Sequence, residues 1–196
     1  MIMKDLQKLE SEFKSQIYIP ATKPERPFLI CPVGLVGAGK TTVVKPLAEK
    51  FNLVRVSSDE LRKLLKENGH DYSQIKDIGM RVINDFAHVG HGIVFDMDCG
   101  NPLVKKFAED LSKELDMPIF FLHITAPEEF IFDKFIKHPP TWLADNPQIM
   151  IDNHLAQKET RLKENTHFDY FYEFDTSRSD LAEQIEECVQ KIKEAL

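Results

Sequence analysis

Short apolar runs alternate with amphipathic segments from residue 28 to the end of the chain. Five of the runs have the length and composition of strands, and between them the apolar residues recur at helical spacing. Continuous apolar runs are typical of strands that are buried on both faces of a sheet. The pattern therefore predicts an α/β fold, a mainly parallel five-stranded sheet between two layers of helices. The predicted strands are FLICPV (28–33), LVRVS (53–57), IVFDM (93–97), PIFFLHI (118–124) and YFYEF (170–174).

Helical periodicity fills the intervals between these strands. Two helices are predicted between the second and third strands, and two more between the fourth and fifth. Asn101 followed by Pro102 is a typical helix start, because the asparagine side chain caps the helix and proline fits its first turn. The predicted helices cover about 40–51, 59–68, 73–89, 102–115, 127–137, 147–164 and 179–194.

The N-terminal 27 residues have a different pattern from the rest. Residues 3–17 show the apolar spacing of a short amphipathic helix, and PATKPERP (20–27) is a proline-rich, charged linker. We therefore divide the chain into an N-terminal helix and linker, residues 1–27, and one domain, residues 28–196. The helix could be an appendage, a dimer contact or a cover over the sheet.

Composition narrows the class of protein. The 196 residues are 42% hydrophobic and 29% charged, as in an ordinary globular domain. A net charge of -7 argues against binding of extended nucleic acid, although a short strand end could still enter a local basic cleft. The three cysteines are far apart, which argues against disulfides and a zinc site. The sequence has neither a signal-peptide core nor a membrane-spanning run, so we expect a cytoplasmic protein with no membrane contact.

The motif GLVGAGKT (34–41) fits the pattern GxxxxGK[ST] between a predicted strand and a predicted helix. Glycines let the backbone approach a ligand, and successive N–H groups with the following helix N-terminus form a cradle for an anion. We expect Lys40 to reach the β- and γ-phosphates of a nucleotide and the Thr41 hydroxyl to bind Mg²⁺. The predicted nucleotide-binding residues are Gly34, Val36, Gly37, Ala38, Gly39, Lys40, Thr41 and Thr42.

This motif and the sequence SSDELR (57–62) resemble the P-loop kinases that phosphorylate small molecules or nucleic-acid ends. Polynucleotide kinase, zeta toxin and the adenylate-kinase-like enzymes are the group in question, and the resemblance covers about residues 28–195. It implies a three-layer P-loop NTPase fold with strand order 2-3-1-4-5. It also implies ATP as the phosphate donor and a mobile helical lid, here about residues 127–166, between strands four and five.

Asp59 and Arg62 follow the second predicted strand. In an open parallel sheet the carboxyl ends of the strands line the ligand crevice, so both side chains should face the phosphates. A carboxylate there can accept the proton of an attacking hydroxyl, and a guanidinium can bind an acceptor phosphate or carboxylate. The resemblance implies these two roles. Helix capping is the alternative, because Ser57 and Glu60 have capping-box spacing and Asp59 lies in the first turn.

Asp96 and Asp98 lie at the end of the third predicted strand. Acids at such a strand end hold Mg²⁺ in phosphate-loop enzymes, so both are predicted metal ligands together with Thr41. A solvated strand end is the plain alternative. IVFDMD is also similar to the nucleophile motif of haloacid-dehalogenase-type phosphatases, but Cys99 and Asn101 depart from that motif.

The lid region is poor in arginine. Kinases of this type often use a lid guanidinium to neutralise charge in the transition state. Arg161 is our choice over Lys134, Lys137 and Lys158, because only arginine offers a planar fork, and a surface ion pair is the alternative. The resemblance also places Ser177 and Arg178 near the adenine, with Arg178 as a predicted nucleotide contact.

Two further residues have open roles. Arg81 could reach a substrate, although an exposed helix face explains it as well. Trp142 could belong to the lid, stack on a substrate or simply pack locally.

The sequence thus favours an ATP- and Mg²⁺-dependent phosphotransferase that acts on a hydroxyl of a small-molecule or nucleotide-like acceptor. Its catalytic residues would be Lys40, Asp59, Arg62 and Arg161. The second hypothesis is an ATPase or nucleotide-gated binding protein without kinase activity, and the third is the phosphatase. The acceptor, the choice between ATP and GTP, and the oligomeric state stay open.

Overall fold

A computed structural model describes residues 2–139, 146–164 and 166–196, with side chains from residue 6 onward. Trp142, for which the sequence left several roles open, lies outside the described residues. None of the helices described is both long enough and apolar enough to cross a membrane.

The sheet has five parallel strands in the order β2-β3-β1-β4-β5. This confirms the predicted fold class and strand order. In the register between β2 and β3, Ser57 lies beside Asp96, so the carboxyl ends of these two strands are level. The strands are β1 (Leu29–Val33), β2 (Val54–Ser57), β3 (Ile93–Asp96), β4 (Ile119–Thr125) and β5 (Tyr172–Asp175).

The helices begin and end close to the predicted positions. Ser57 caps the helix that follows β2, its hydroxyl accepting from the Glu60 amide at 3.4 Å, and Asn101 caps a later helix through the Leu103 amide at 3.1 Å. The helices are α1 (Ile2–Gln16), α2 (Lys40–Phe51), α3 (Ser58–Glu67), α4 (Ile75–His88), α5 (Pro102–Glu114), α6 (Glu128–Lys137), α7 (Pro147–Glu164) and α8 (Leu181–Ala195).

Apolar side chains cover both faces of the sheet. On one face α4 and α5 contact the strands, and α1 and α3 pack on α4; α2 and α8 cover the other face, so helices lie on both sides of the sheet. The N-terminal helix α1 buries Leu9 and Phe13 in the apolar cluster on the first of these faces, and Ile17, which directly follows the helix, is buried there as well. Its Glu10 carboxylate accepts a hydrogen bond from Arg81 Nε on α4 at 2.7 Å. Arg81 therefore contacts the N-terminal helix.

Candidate nucleotide and acceptor site

The loop between β1 and α2 wraps the N-terminus of α2, as the glycine-rich motif predicts. Helix α2 begins at Lys40, and Gly37 and Gly39 have φ values of +85° and +91°. Gly34 lies so close to the end of β4 that an added Cβ would be 2.3 Å from the Ile124 carbonyl oxygen. The first-turn amides of α2 have no partners within the helix and, with its dipole, favour an anion at this end.

Lys40 places its ammonium inside this loop. Its Nζ donates to the carbonyl oxygens of Gly34, at 2.7 Å, and Leu35, at 3.0 Å. Burial lowers the pKa of Lys40, while the nearby carboxylates of Asp98, Asp59 and Asp96 act in the opposite direction. The loop thus holds a positive charge where the phosphates of a nucleotide would lie.

Thr41 and Asp96 meet at the mouth of the loop. The Thr41 hydroxyl donates to the Asp96 carboxylate, with oxygen–oxygen distances of 2.9 and 3.2 Å. The Arg55 guanidinium on β2 also pairs with Asp96, because Arg55 lies two residues before Ser57 on the same face of the sheet. Burial raises the pKa of Asp96, and Arg55 and Thr41 partly offset this shift.

Magnesium prefers such oxygen ligands, so the donor chemistry of Thr41 and Asp96 fits this metal, with the phosphate oxygens of a nucleotide as its other partners. Among the described residues, no group of three or more His, Cys, Asp or Glu side chains could hold a metal alone. The Asp96 side chain is only 3% exposed and is covered by Thr41 and Arg55. A phosphatase nucleophile needs an open line of attack, so this enclosure disfavours the phosphatase alternative.

Asp59 and Arg62 lie in the first turns of α3, and both line the cavity that Lys40 and Thr41 also line. The Arg62 guanidinium pairs with the Asp59 carboxylate and donates to the Ser58 hydroxyl at 3.3 Å. The Asp59 side chain remains 51% exposed and is therefore accessible from the cavity. Ser57 also caps α3 through the Glu60 amide, while the Glu60 carboxylate pairs with Arg55, so the cap does not engage the Asp59 side chain.

The cavity enclosed by these elements measures about 810 Å³. Its wall combines the phosphate loop, the start of α3, the acids after β3 and the two lid helices. Among the described residues, the wall includes these predicted site residues: Val36, Gly37, Gly39, Lys40, Thr41, Thr42, Asp59, Arg62, Asp96 and Asp98. It does not include Gly34, Ala38, Arg161 or Arg178.

Helices α6 and α7, which lie in the predicted lid region, pack directly on the loop. Ala38 of the loop forms a small buried cluster with Ile131 and Phe135 of α6 and Met150 of α7. The Arg161 guanidinium on α7 pairs with Asp98 and donates to Glu164 at 3.0 Å. Arg161 is thus bound to an acid of the site.

The other predicted lid cations differ in their partners. Lys137 pairs with Asp133 at 2.7 Å, and Lys158 pairs with Glu128 at 2.9 Å, whereas Lys134 lines the cavity. Arg178, after β5, is exposed and pairs with Asp180. The neighbouring Ser177 bonds to Asp175 through both its amide and its hydroxyl.

Three site residues were missed in the sequence. Arg55 could have been predicted from the sequence, because the alternation of side chains along β2 places it on the same face as Ser57. The sequence gives a weaker indication for His154 and Gln157, since with Arg161 they follow the i, i+3, i+7 spacing of one helix face. His154 Nδ1 lies 2.7 Å from the Val36 carbonyl oxygen, and the Gln157 carboxamide oxygen accepts from the Val36 amide at 2.7 Å.

Several solved structures with the same fold are small-molecule kinases by name. The chain is similar to the APS kinase of Mycobacterium tuberculosis, solved with AMPPNP and APS, at 17% identity and a TM-score of 0.55, over 87% of this chain and 99% of that one. A gluconokinase from Sinorhizobium meliloti 1021 gives 13% identity and a TM-score of 0.57, over 89% and 95% of the two chains. Shikimate kinase from Acinetobacter baumannii, solved with shikimate, gives 18% and 0.50, over 95% and 98%. At these identities the likeness shows the fold.

Comparison with curated protein sequences found no match. A family model described as an AAA domain, AAA_33, matches residues 29–135, which is more than half of the 196 residues. The matched segment contains the phosphate loop, Asp59 and Arg62, and the acids after β3. The chain therefore belongs to the AAA_33 family of AAA domains.

Proposed function

We propose that this protein is a Mg²⁺-dependent kinase that transfers the γ-phosphate of ATP to a hydroxyl of a small-molecule or nucleotide-like acceptor. The observation that carries the proposal is the convergence of Lys40, the Thr41–Asp96 pair and the half-exposed Asp59 on one cavity. The kinase names of the structural neighbours support it, since one of them was solved with a nucleotide analogue and its substrate.

In this mechanism the phosphate loop and Lys40 hold the triphosphate, and Asp59 faces the acceptor hydroxyl. The hydroxyl oxygen attacks the γ-phosphorus in line, the bond from phosphorus to the β–γ bridging oxygen breaks, and ADP leaves with that electron pair. Asp59 takes the proton of the hydroxyl. Arg62, which pairs with Asp59 before the acceptor arrives, orients the acceptor.

The residues that would hold the metal are Thr41 and Asp96, with Asp98 nearby. Mg²⁺ would supply charge neutralisation at the phosphate oxygens. Arg55 keeps Asp96 in place from the β2 side. Most of the acceleration would come from positioning and charge stabilisation by the loop and these side chains.

A nucleotide-binding ATPase or switch is the second candidate. The observation that favours it is the engagement of Arg161, the only arginine in residues 127–166, with Asp98 and Glu164. If Arg161 stays there when nucleotide binds, the lid offers no guanidinium to the transferred phosphate. Phosphoryl transfer would then be slow, and nucleotide occupancy itself would be the output.

The test is ADP release with ATP, Mg²⁺ and a panel of sugars, nucleosides and 5′-hydroxyl oligonucleotides. Loss of a positioned base costs about 10²–10⁴ in rate, so Asp59→Asn should reduce acceptor-stimulated turnover by at least about a hundredfold. Asp110→Asn on α5 is the matched control and should have no effect, because Asp110 only pairs with Lys106 on the surface. Turnover that needs no acceptor and survives Asp59→Asn would instead identify an ATPase.

A further inference from the structure

Helix α7 contacts the phosphate loop through two side chains that the proposed mechanism does not use. His154 Nδ1 lies 2.7 Å from the Val36 carbonyl oxygen, and because a carbonyl can only accept, this nitrogen carries the proton. One turn further along, the Gln157 carboxamide oxygen accepts from the Val36 amide, also at 2.7 Å. Both backbone groups of one loop residue are therefore bound by the lid.

The His154 side of this contact is enclosed, whereas Gln157 is half-buried. His154 is fully buried and packs edge-on against Phe132 of α6. Gln157 lines the cavity, and its carboxamide nitrogen donates to the Asp98 carboxylate. The Gln157 carboxamide thus bridges the Val36 amide and the Asp98 carboxylate. Val36, Gln157 and Asp98 all line the cavity in which the proposed function places the terminal phosphate and the acceptor.

A backbone amide has one hydrogen and makes one strong hydrogen bond at a time. Glycine-rich loops bind phosphates through such amides. As long as Gln157 holds the Val36 amide, this amide is withheld from a phosphate. Among the residues that the structure describes, no side chain of α6 or α7 is hydrogen-bonded to an amide in the first turn of α2.

We propose that Gln157 is a specificity-determining residue that competes with the terminal phosphate of a nucleoside triphosphate for the Val36 amide and so lowers the affinity of the site for triphosphate relative to diphosphate; this inference rests on the proposed function. Its carboxamide oxygen occupies the Val36 amide until a terminal phosphate takes over that hydrogen bond. A diphosphate bound to Lys40 and the first turn of α2 leaves Gln157 in place. A triphosphate displaces it and, in the same movement, releases the Asp98 carboxylate from the Gln157 nitrogen. His154 keeps the Val36 peptide oriented in both states.

The test is calorimetric titration of the full-length protein with AMPPNP and with ADP, each with excess Mg²⁺. Wild type is compared with Gln157→Leu, which keeps the side-chain volume, and with Gln157→Ala, which checks that the result does not come from the leucine. Gln190→Leu on the exposed face of α8 is the matched control. Removing a competing hydrogen bond should raise the affinity for AMPPNP roughly two- to tenfold in both Gln157 variants, and leave the affinity for ADP and both affinities of the control unchanged.

The ratio of the two affinities is the decisive readout, because a purely structural role of Gln157 would lower the melting temperature without changing that ratio. Affinities for AMPPNP and ADP that change equally or not at all, or a ratio of AMPPNP to ADP affinity that falls in the Gln157 variants, would overturn the inference while the proposed function stands. Failure of the wild type to bind either nucleotide would overturn both.

Discussion

At Gly37, helix α6 lies directly against the phosphate loop. A Cβ built on this residue would lie 2.4 Å from Phe135 Cζ and 2.6 Å from Ile131 Cγ2, both on α6. The backbone there has a φ of +85°, a left-handed conformation that side chains other than glycine rarely adopt. Gly37→Ala should therefore suffer from backbone strain and from displacement of α6 together.

Gly69 separates the two effects. It has a φ of +72°, but an added Cβ would meet nothing within 4 Å. Gly69→Ala should cost only the left-handed backbone strain, about 1–2 kcal/mol. Gly37→Ala should cost this amount plus about 1–3 kcal/mol for overpacking against Phe135 and Ile131. The expected destabilisation of Gly37→Ala is thus about 2–5 kcal/mol.

Urea unfolding followed by circular dichroism measures both variants against wild type. The prediction is a lower unfolding midpoint for Gly37→Ala than for Gly69→Ala, with the same slope. If the two variants lose the same free energy, the Cβ at position 37 meets no resistance. The close packing of α6 on the loop described above would then be wrong.

Two further predictions concern the charges of the site. Arg55→Met leaves the buried Asp96 carboxylate without its cation, so the unfolding free energy should fall by about 2–4 kcal/mol. In the same urea assay, adding Asp96→Asn to Arg55→Met should recover part of this loss. If the effects of the two substitutions simply add, the pairing of Arg55 with Asp96 is contradicted. The pKa of Lys40 is lowered, so in the free protein its ammonium loses the proton at a lower pH than an ordinary lysine does. The pKa of an ordinary lysine is about 10.4. Affinity for AMPPNP should therefore decline with rising pH before that value is reached, and a constant affinity up to that pH would count against a phosphate-binding Lys40.

Much of the fold follows from local pattern. The apolar runs mark all five strands, since strands buried on both faces leave little room for polar residues. The order of the strands could not be predicted from this pattern, because periodicity does not show which strands are neighbours. The prediction of the order came from the resemblance that rests on the phosphate loop. Asp59 and Asp96 could be brought together from sequence, because parallel strands end at one edge of the sheet.

The contacts between the lid region and the loop could not be predicted from the sequence. Val36 and Gln157 are 121 residues apart, and no local rule connects a loop amide with a glutamine on a later helix. Helix α7 is also weakly patterned, burying only Met150 and His154, so its inner face is hard to recognise. Arg161 was selected for its guanidinium, but its partner Asp98 depends on how the lid closes, which tertiary packing decides.

Binding of magnesium nucleotide tests the central claim most directly. Calorimetry with AMPPNP and Mg²⁺ should give saturable binding to the wild-type protein. Lys40→Ala should weaken it by about ten- to a hundredfold, the equivalent of a charge-assisted hydrogen bond. Lys45→Ala, on an exposed face of the same helix, should leave it unchanged. Absence of binding to the wild type, or equal affinity of wild type and Lys40→Ala, would contradict the account.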